Sequence, residues 1–185
     1  MKVLFQLFFV LQLITVCWGQ KISDQEKAKA SVLSFYNWYI GITNNHSYSE
    51  YVKGVEDKNG ITRLETKEYF KRLDSLGVIG QEFIDSEKIR MKPCADLLAT
   101  IPWTEFSAAE DFPYSDKCGF FYNYYWTGGQ EPRGGVQVFK GGVYDDKATV
   151  EAHLYYGNDK ANGSTVIVHL REKKGKWMIV RIVPL

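Results

Sequence analysis

The stretch from Ala148 to Leu185 constrains the chain most. It runs Ala-Thr-Val-Glu-Ala-His-Leu-Tyr-Tyr-Gly, then Ser-Thr-Val-Ile-Val-His-Leu-Arg, then Lys-Trp-Met-Ile-Val-Arg-Ile-Val, with breaks at Asn158–Gly163 and Glu172–Gly175. Runs rich in β-branched and aromatic residues, punctuated by Gly, Asn, Asp and Lys, predict consecutive antiparallel strands joined by short turns. In the first run Ala148, Val150, Ala152, Leu154 and Tyr156 share one face, and Thr149, Glu151, His153 and Tyr155 share the other. One face is dry and the other mixed, so the sheet has a definite inside.

The residues upstream read as helices. Ser23-Asp24-Gln25-Glu26 has the form of a capping box, and Ala28, Val32, Phe35, Tyr36 and Tyr39 recur at helical spacing. A helix is expected from Asp24 to Ile40, ended by Gly41 and clasped on more than one side because Leu33, Trp38 and Ile40 widen its apolar surface. Asn44–Gly60 is polar and turn-rich. A second helix is expected from about Leu64, with Tyr69, Phe70, Leu73 and Leu76 on one stripe and Gly77 as its stop. Gln81–Ile89 reads as a further helical piece, and Pro93 as the first turn of a short segment through Ala99.

Trp103–Pro113 reads as an acidic, aromatic connection. The dense aromatic run from Cys118 to Trp126 reads as a strand, Thr127–Gly135 as a loop, and Val136–Lys140 as a short strand that Gly141–Asp146 turns into the one at Ala148. Helices first and about five meandering strands afterwards predict an α+β fold with the helices packed on one face of an antiparallel sheet.

Composition adds an address. With 185 residues, 45% of them hydrophobic and 24% charged, the chain fits one globular domain. Residues 1–19 differ from the rest: Lys2 is a minimal basic region, Val3–Val16 is an apolar run, and Cys17-Trp18-Gly19 precedes polar Gln20-Lys21. This is the pattern of a signal peptide cleaved after Gly19, leaving 20–185 as a single domain without stable membrane insertion. An uncleaved anchor is one alternative, disfavoured because the apolar run is short for a membrane span; lipidation at Cys17 is another, disfavoured because Val16 stands where a small residue is wanted. Periplasmic or secreted placement follows. Asn45-His46-Ser47 and Asn162-Gly163-Ser164 match the glycosylation sequon, which matters only in a eukaryotic host.

Loss of Lys2 with the leader leaves 22 basic against 22 acidic residues, interspersed. Nucleic acid is therefore not an expected partner. The leader also carries away Cys17, so Cys94 and Cys118 remain as an even count in an exported chain, which predicts that they are joined. Closing the loop between residues 94 and 118 is worth roughly 3 kcal/mol by chain entropy. Two Cys and three dispersed His show no metal-ligand spacing, and no cofactor motif is present.

The first helix, Val32-x-x-Phe35-Tyr36-x-x-Tyr39, and the C-terminal Gly175-Lys-Trp-Met-Ile-Val-Arg-Ile182 together resemble the nuclear transport factor 2-like superfamily. Within it the chain is most similar to uncharacterised exported proteins of Gram-negative bacteria. The resemblance covers roughly Lys29–Val183 and implies a cystatin-like cone with a curved sheet; it implies no particular activity.

Candidate binding residues are Asp111, Tyr122, Tyr124, Trp126 and His153, with Glu151 and His169 considered beside them. The aromatic run could stack a ring-bearing ligand or sugar, although core filling is the simpler role for such residues. No Gly-x-Ser-x-Gly elbow is present, and both cysteines of the mature chain are engaged. The expected function is a non-enzymatic envelope module that binds a small ligand or a protein, of which an inhibitor or immunity role is one version. A pocket enzyme of isomerase or hydrolase type is the alternative.

Overall fold

The computed structural model describes residues 24–45, 47–109, 115–119, 126, 133–139 and 141–185. The proposed leader 1–19, Ser23 of the capping box, His46 of the first sequon, Asp111, and most of the aromatic run and of the glycine-rich loop lie outside the described residues.

The molecule is α+β, with its helices ahead of a curved antiparallel sheet that has five strands among the described residues. Helix α1 spans residues 24–44. After it come α2 (Tyr48–Tyr51), the two-stranded hairpin β1 (Lys53–Glu56) and β2 (Thr62–Glu65), α3 (Lys67–Ser75), α4 (Gln81–Leu98), α5 (Trp103–Ala108) and α6 (Ser115–Cys118). The main sheet is built from β3 (Arg133–Val138), β4 (Gly142–Tyr144), β5 (Lys147–Tyr156), β6 (Asp159–Lys173) and β7 (Lys176–Pro184), in the order β3-β5-β6-β7 with β4 also on β5.

The alternation in β5 is as expected. Ala148, Val150, Ala152 and Leu154 are buried, while Thr149 and Glu151 are exposed. Across the ladder, Ala152 meets Val166 and Val150 meets Val168, and Leu170 meets Ile179 on β7. The β6–β7 hairpin closes through Lys174 and Gly175, both at positive φ (54° and 80°), the backbone that suits two-residue hairpins and that Gly adopts freely.

Helix α1 crosses the inner face of this sheet. Its Ala28, Val32, Phe35, Tyr36 and Tyr39 are all buried, and three long-range hydrogen-bonded links fix it. Gln25 Nε2 donates to Gly141 C=O (3.0 Å) and Ser31 Oγ to Trp177 C=O (2.7 Å). Asn44 pairs with both main-chain groups of Arg133. The helix runs past Gly41 to residue 44, because Ile42 and Thr43 are themselves buried and burial outweighs one glycine's propensity cost of about 1 kcal/mol.

Other boundaries differ from the sequence reading for similar reasons. Leu64 starts no helix; it pairs with Gly54 in a hairpin that the polar 44–60 segment did not announce. Gln81–Ile89 and the Pro93 segment form one continuous α4. Phe83, Glu87, Met91, Cys94 and Leu98 make an unbroken buried stripe along it, whereas Ile89, whose carbonyl loses its partner at Pro93, is 73% exposed. Water can bond that carbonyl, and packing offsets the proline. The start of the expected aromatic strand is helical instead, since Cys118 closes α6.

Cys94 and Cys118 are joined, with Cα atoms 4.9 Å apart. The bond ties α4 to α6. Among the described residues no helix is long and apolar enough to cross a membrane.

Candidate functional site

Helix α4 lies along β7, and between them is a cleft of about 440 Å³. Phe83, Ser86, Ile89 and Arg90 form one wall, Val180–Pro184 the other, and Glu87 and Trp126 the floor. The stripe of α4 that fills the core thus carries a carboxylate in its second turn. Glu87 is 1% exposed.

A charge so buried needs partners, and Glu87 has them. Arg90, one turn on, grips it with two bonds, Nε to Oε1 at 2.7 Å and Nη2 to Oε2 at 2.9 Å. Tyr69 of α3 donates its hydroxyl to Oε2 at 2.8 Å, and the Trp126 indole N–H reaches the same oxygen at 3.3 Å. The Trp126 ring packs on Phe83 with centroids 5.1 Å apart, and the Arg90 guanidinium stands 5.7 Å from that ring.

Burial and neighbouring charges set the protonation of the tyrosines and of the arginine. Burial pushes the Tyr69 hydroxyl well above the ordinary tyrosine range, and the Glu87 charge adds to the effect. Tyr39 is raised likewise, by burial first and then by Tyr48 and Glu87. For Arg90, burial acts to lower the pKa, but the Glu87 hydrogen bonds and charge overcome it and hold the guanidinium above its usual value. Both hydroxyls therefore stay protonated, that of Tyr69 as a donor to Glu87, and the arginine stays charged. Glu87 accepts four hydrogen bonds, three at Oε2 and one, from Arg90, at Oε1.

Of the residues expected to bind, Trp126 is at this site. His153 is elsewhere: it is half-buried on β5, with Nδ1 3.2 Å from Thr165 Oγ1 across the ladder, and it does not line the cleft. His169 pairs with Arg181 on the same outer face, and Glu151 is exposed. Asp111, Tyr122 and Tyr124 lie outside the described residues. Glu87, Arg90 and Tyr69 were missed as functional candidates. The signal for Glu87 was present, since a carboxylate four residues from Phe83 and from Met91 interrupts an apolar stripe.

A smaller cleft of about 220 Å³ lies near Gly80, lined by Asp74, Glu82, Arg171 and Lys173 among others. Its Arg171–Glu82 pair (3.1 Å) is half-exposed on both sides, the kind of pair that contributes little. Among the described residues no three His, Cys, Asp or Glu side chains are grouped as a metal site requires. No protein-family model, no curated protein and no solved structure matches the chain.

Proposed function

We propose that the protein is an exported, non-enzymatic binding module that takes a small ligand or a group of an envelope protein in the cleft between α4 and β7. An inhibitor or immunity role is one form of this. The observation that carries it is the Glu87 network beneath apolar walls: Arg90, Tyr69 and Trp126 converge on one carboxylate and make a pre-organised floor. Isomerase or hydrolase chemistry would need a group poised to give or take a proton, and the tyrosines here are held protonated. Export is supported by the apolar leader in the sequence together with the Cys94–Cys118 bond. The order of helices and curved sheet is compatible with the nuclear transport factor 2-like cone, which we propose as the family.

Photo-crosslinking in the producing cell tests the site. A photoreactive residue at Ile89, on the cleft, is compared with one at Tyr144, 78% exposed at the opposite edge of the sheet. Adducts at the first position and none at the second are expected. Recovery of uncrosslinked monomer from both would overturn the reading.

A further inference from the structure

The cleft wall formed by β7 is the edge of the main sheet among the described strands, and the ladder geometry shows which main-chain groups it presents. Leu185 N–H donates to Thr165 C=O (3.0 Å), and Val183 is matched to Ile167. Bonded and non-bonded pairs alternate in an antiparallel ladder. Ile182, opposite Val168, and Pro184, opposite Val166, therefore turn their main-chain groups away from β6 and into the cleft. Pro184 has no N–H to present, whereas Ile182 presents both a donor and an acceptor.

The same edge already takes a short extended segment one step earlier. Before the register shift at Val180, Ile179 also faces outward, and residues 78–80 pair with it in parallel. Ile179 N–H donates to Val78 C=O and Gly80 N–H to Ile179 C=O, each at 2.8 Å. The segment then turns into α4 at Gln81, and the edge continues without it. Among the described residues no group bonds the outward N–H or C=O of Ile182. The residue is only 5% exposed, and a main-chain group closed off from water without a partner is costly.

Resting on the cleft reading above, we propose that the occupant is an extended peptide segment of a partner protein that adds to β7 as a further strand, bonding Ile182. Strand addition draws affinity from main-chain bonds and specificity from alternate side chains. Here an apolar side chain lies against Phe83 and Trp126, and an acidic one meets Arg181. Arg181 lines the cleft and has no ion pair among the described residues, whereas Arg90 is committed to Glu87.

The test pans phage-displayed random peptides on the full chain with its disulfide intact, then synthesises the peptides selected. They should share alternating apolar residues and an acidic one, and on binding they should slow hydrogen exchange at the Ile182 amide. N-methylation at alternate peptide positions should weaken binding roughly fivefold to tenfold, with the intervening positions tolerant, and Arg181→Glu should weaken binding as well. Peptides held at the cleft with Ile182 exchange unchanged would overturn strand addition while leaving the cleft as a binding site. Strand addition is equally overturned if no peptide is selected while the Ile89 crosslink succeeds. Self-association that protects Ile182 in the protein alone would replace the partner peptide with a second copy.

Discussion

The inner face of β5–β7 and the buried face of α4 are equally closed to water, yet they are held by different physics. On the sheet, Val150, Ala152, Leu154, Val166, Val168, Leu170 and Ile179 form a wholly apolar surface with exposures of 2% or less. Each such Val, Leu or Ile side chain contributes its own increment of about 1.5 to 3 kcal/mol, with little dependence on direction. On α4, the stripe of Phe83, Glu87, Met91, Cys94 and Leu98 includes one charge and one covalent bond. Glu87 is favourable only while its partners are in place, because the penalty for burying it is offset by geometry. The sheet can lose a methyl group and settle, whereas the α4 network holds together or fails together. The proposed binding floor lies in the second region, where position is most tightly specified.

Removing the centre of that network should have the largest effect. Glu87→Ala leaves Arg90 buried without its carboxylate and should cost about 3 to 5 kcal/mol in urea unfolding; Glu87→Gln, which keeps an acceptor, should cost less. On the sheet side Leu154→Ala should cost about 3 kcal/mol through a cavity. A double mutant of Glu87 and Arg90 to apolar residues sharpens the contrast, since it should be less destabilised than Glu87→Ala alone. Additivity of the two single effects would refute the idea of a coupled network.

Cys94→Ser should cost about 3 kcal/mol, mainly by freeing the unfolded chain. Hydrogen exchange should accelerate in α4 and α6 before β5–β7. Uniform acceleration would mean that the two regions open as one unit.

A smaller effect is expected at alkaline pH. Tyr39 and Tyr69 have raised pKa values in the folded protein, chiefly through burial. The native state keeps protons that the unfolded chain gives up, so stability is complete below the ordinary tyrosine range and declines as pH rises through and above it. Tyrosinate absorbance should show these hydroxyls ionising only with unfolding, and early, reversible ionisation of all the tyrosines would contradict it.

The smallest effect is at Asp57, whose carboxylate accepts the Asn59 and Ile61 amides at 2.8 and 2.9 Å. Those bonds, Ile61 first, lower its pKa. Its contribution is present at neutral pH and fades as pH falls through that depressed value, which carboxyl titration by NMR will show. Asp57→Ala should loosen the β1–β2 turn and leave the main sheet unchanged.

What the sequence determined by itself was local or arithmetical. The alternation of Ala148–Leu154 set which face of β5 is buried, because a strand's period of two is written residue by residue. The spacing of Val32, Phe35, Tyr36 and Tyr39 set α1, and the pairing of Cys94 with Cys118 followed from counting. Tertiary structure decided the rest. Pro93 stays within α4 because the buried stripe continues past it. Leu64 is in a strand because Gly54 lies opposite. Glu87 becomes the floor of a cleft only because Tyr69, Arg90 and Trp126 converge on it, and two of those three come from outside its own helix. Ile182 meets the cleft with its main chain because the register shifts at Val180 and the 78–80 segment leaves the edge at Gly80. Each of these depends on residues far apart in the chain meeting at hydrogen-bond distance, and a local pattern does not encode that.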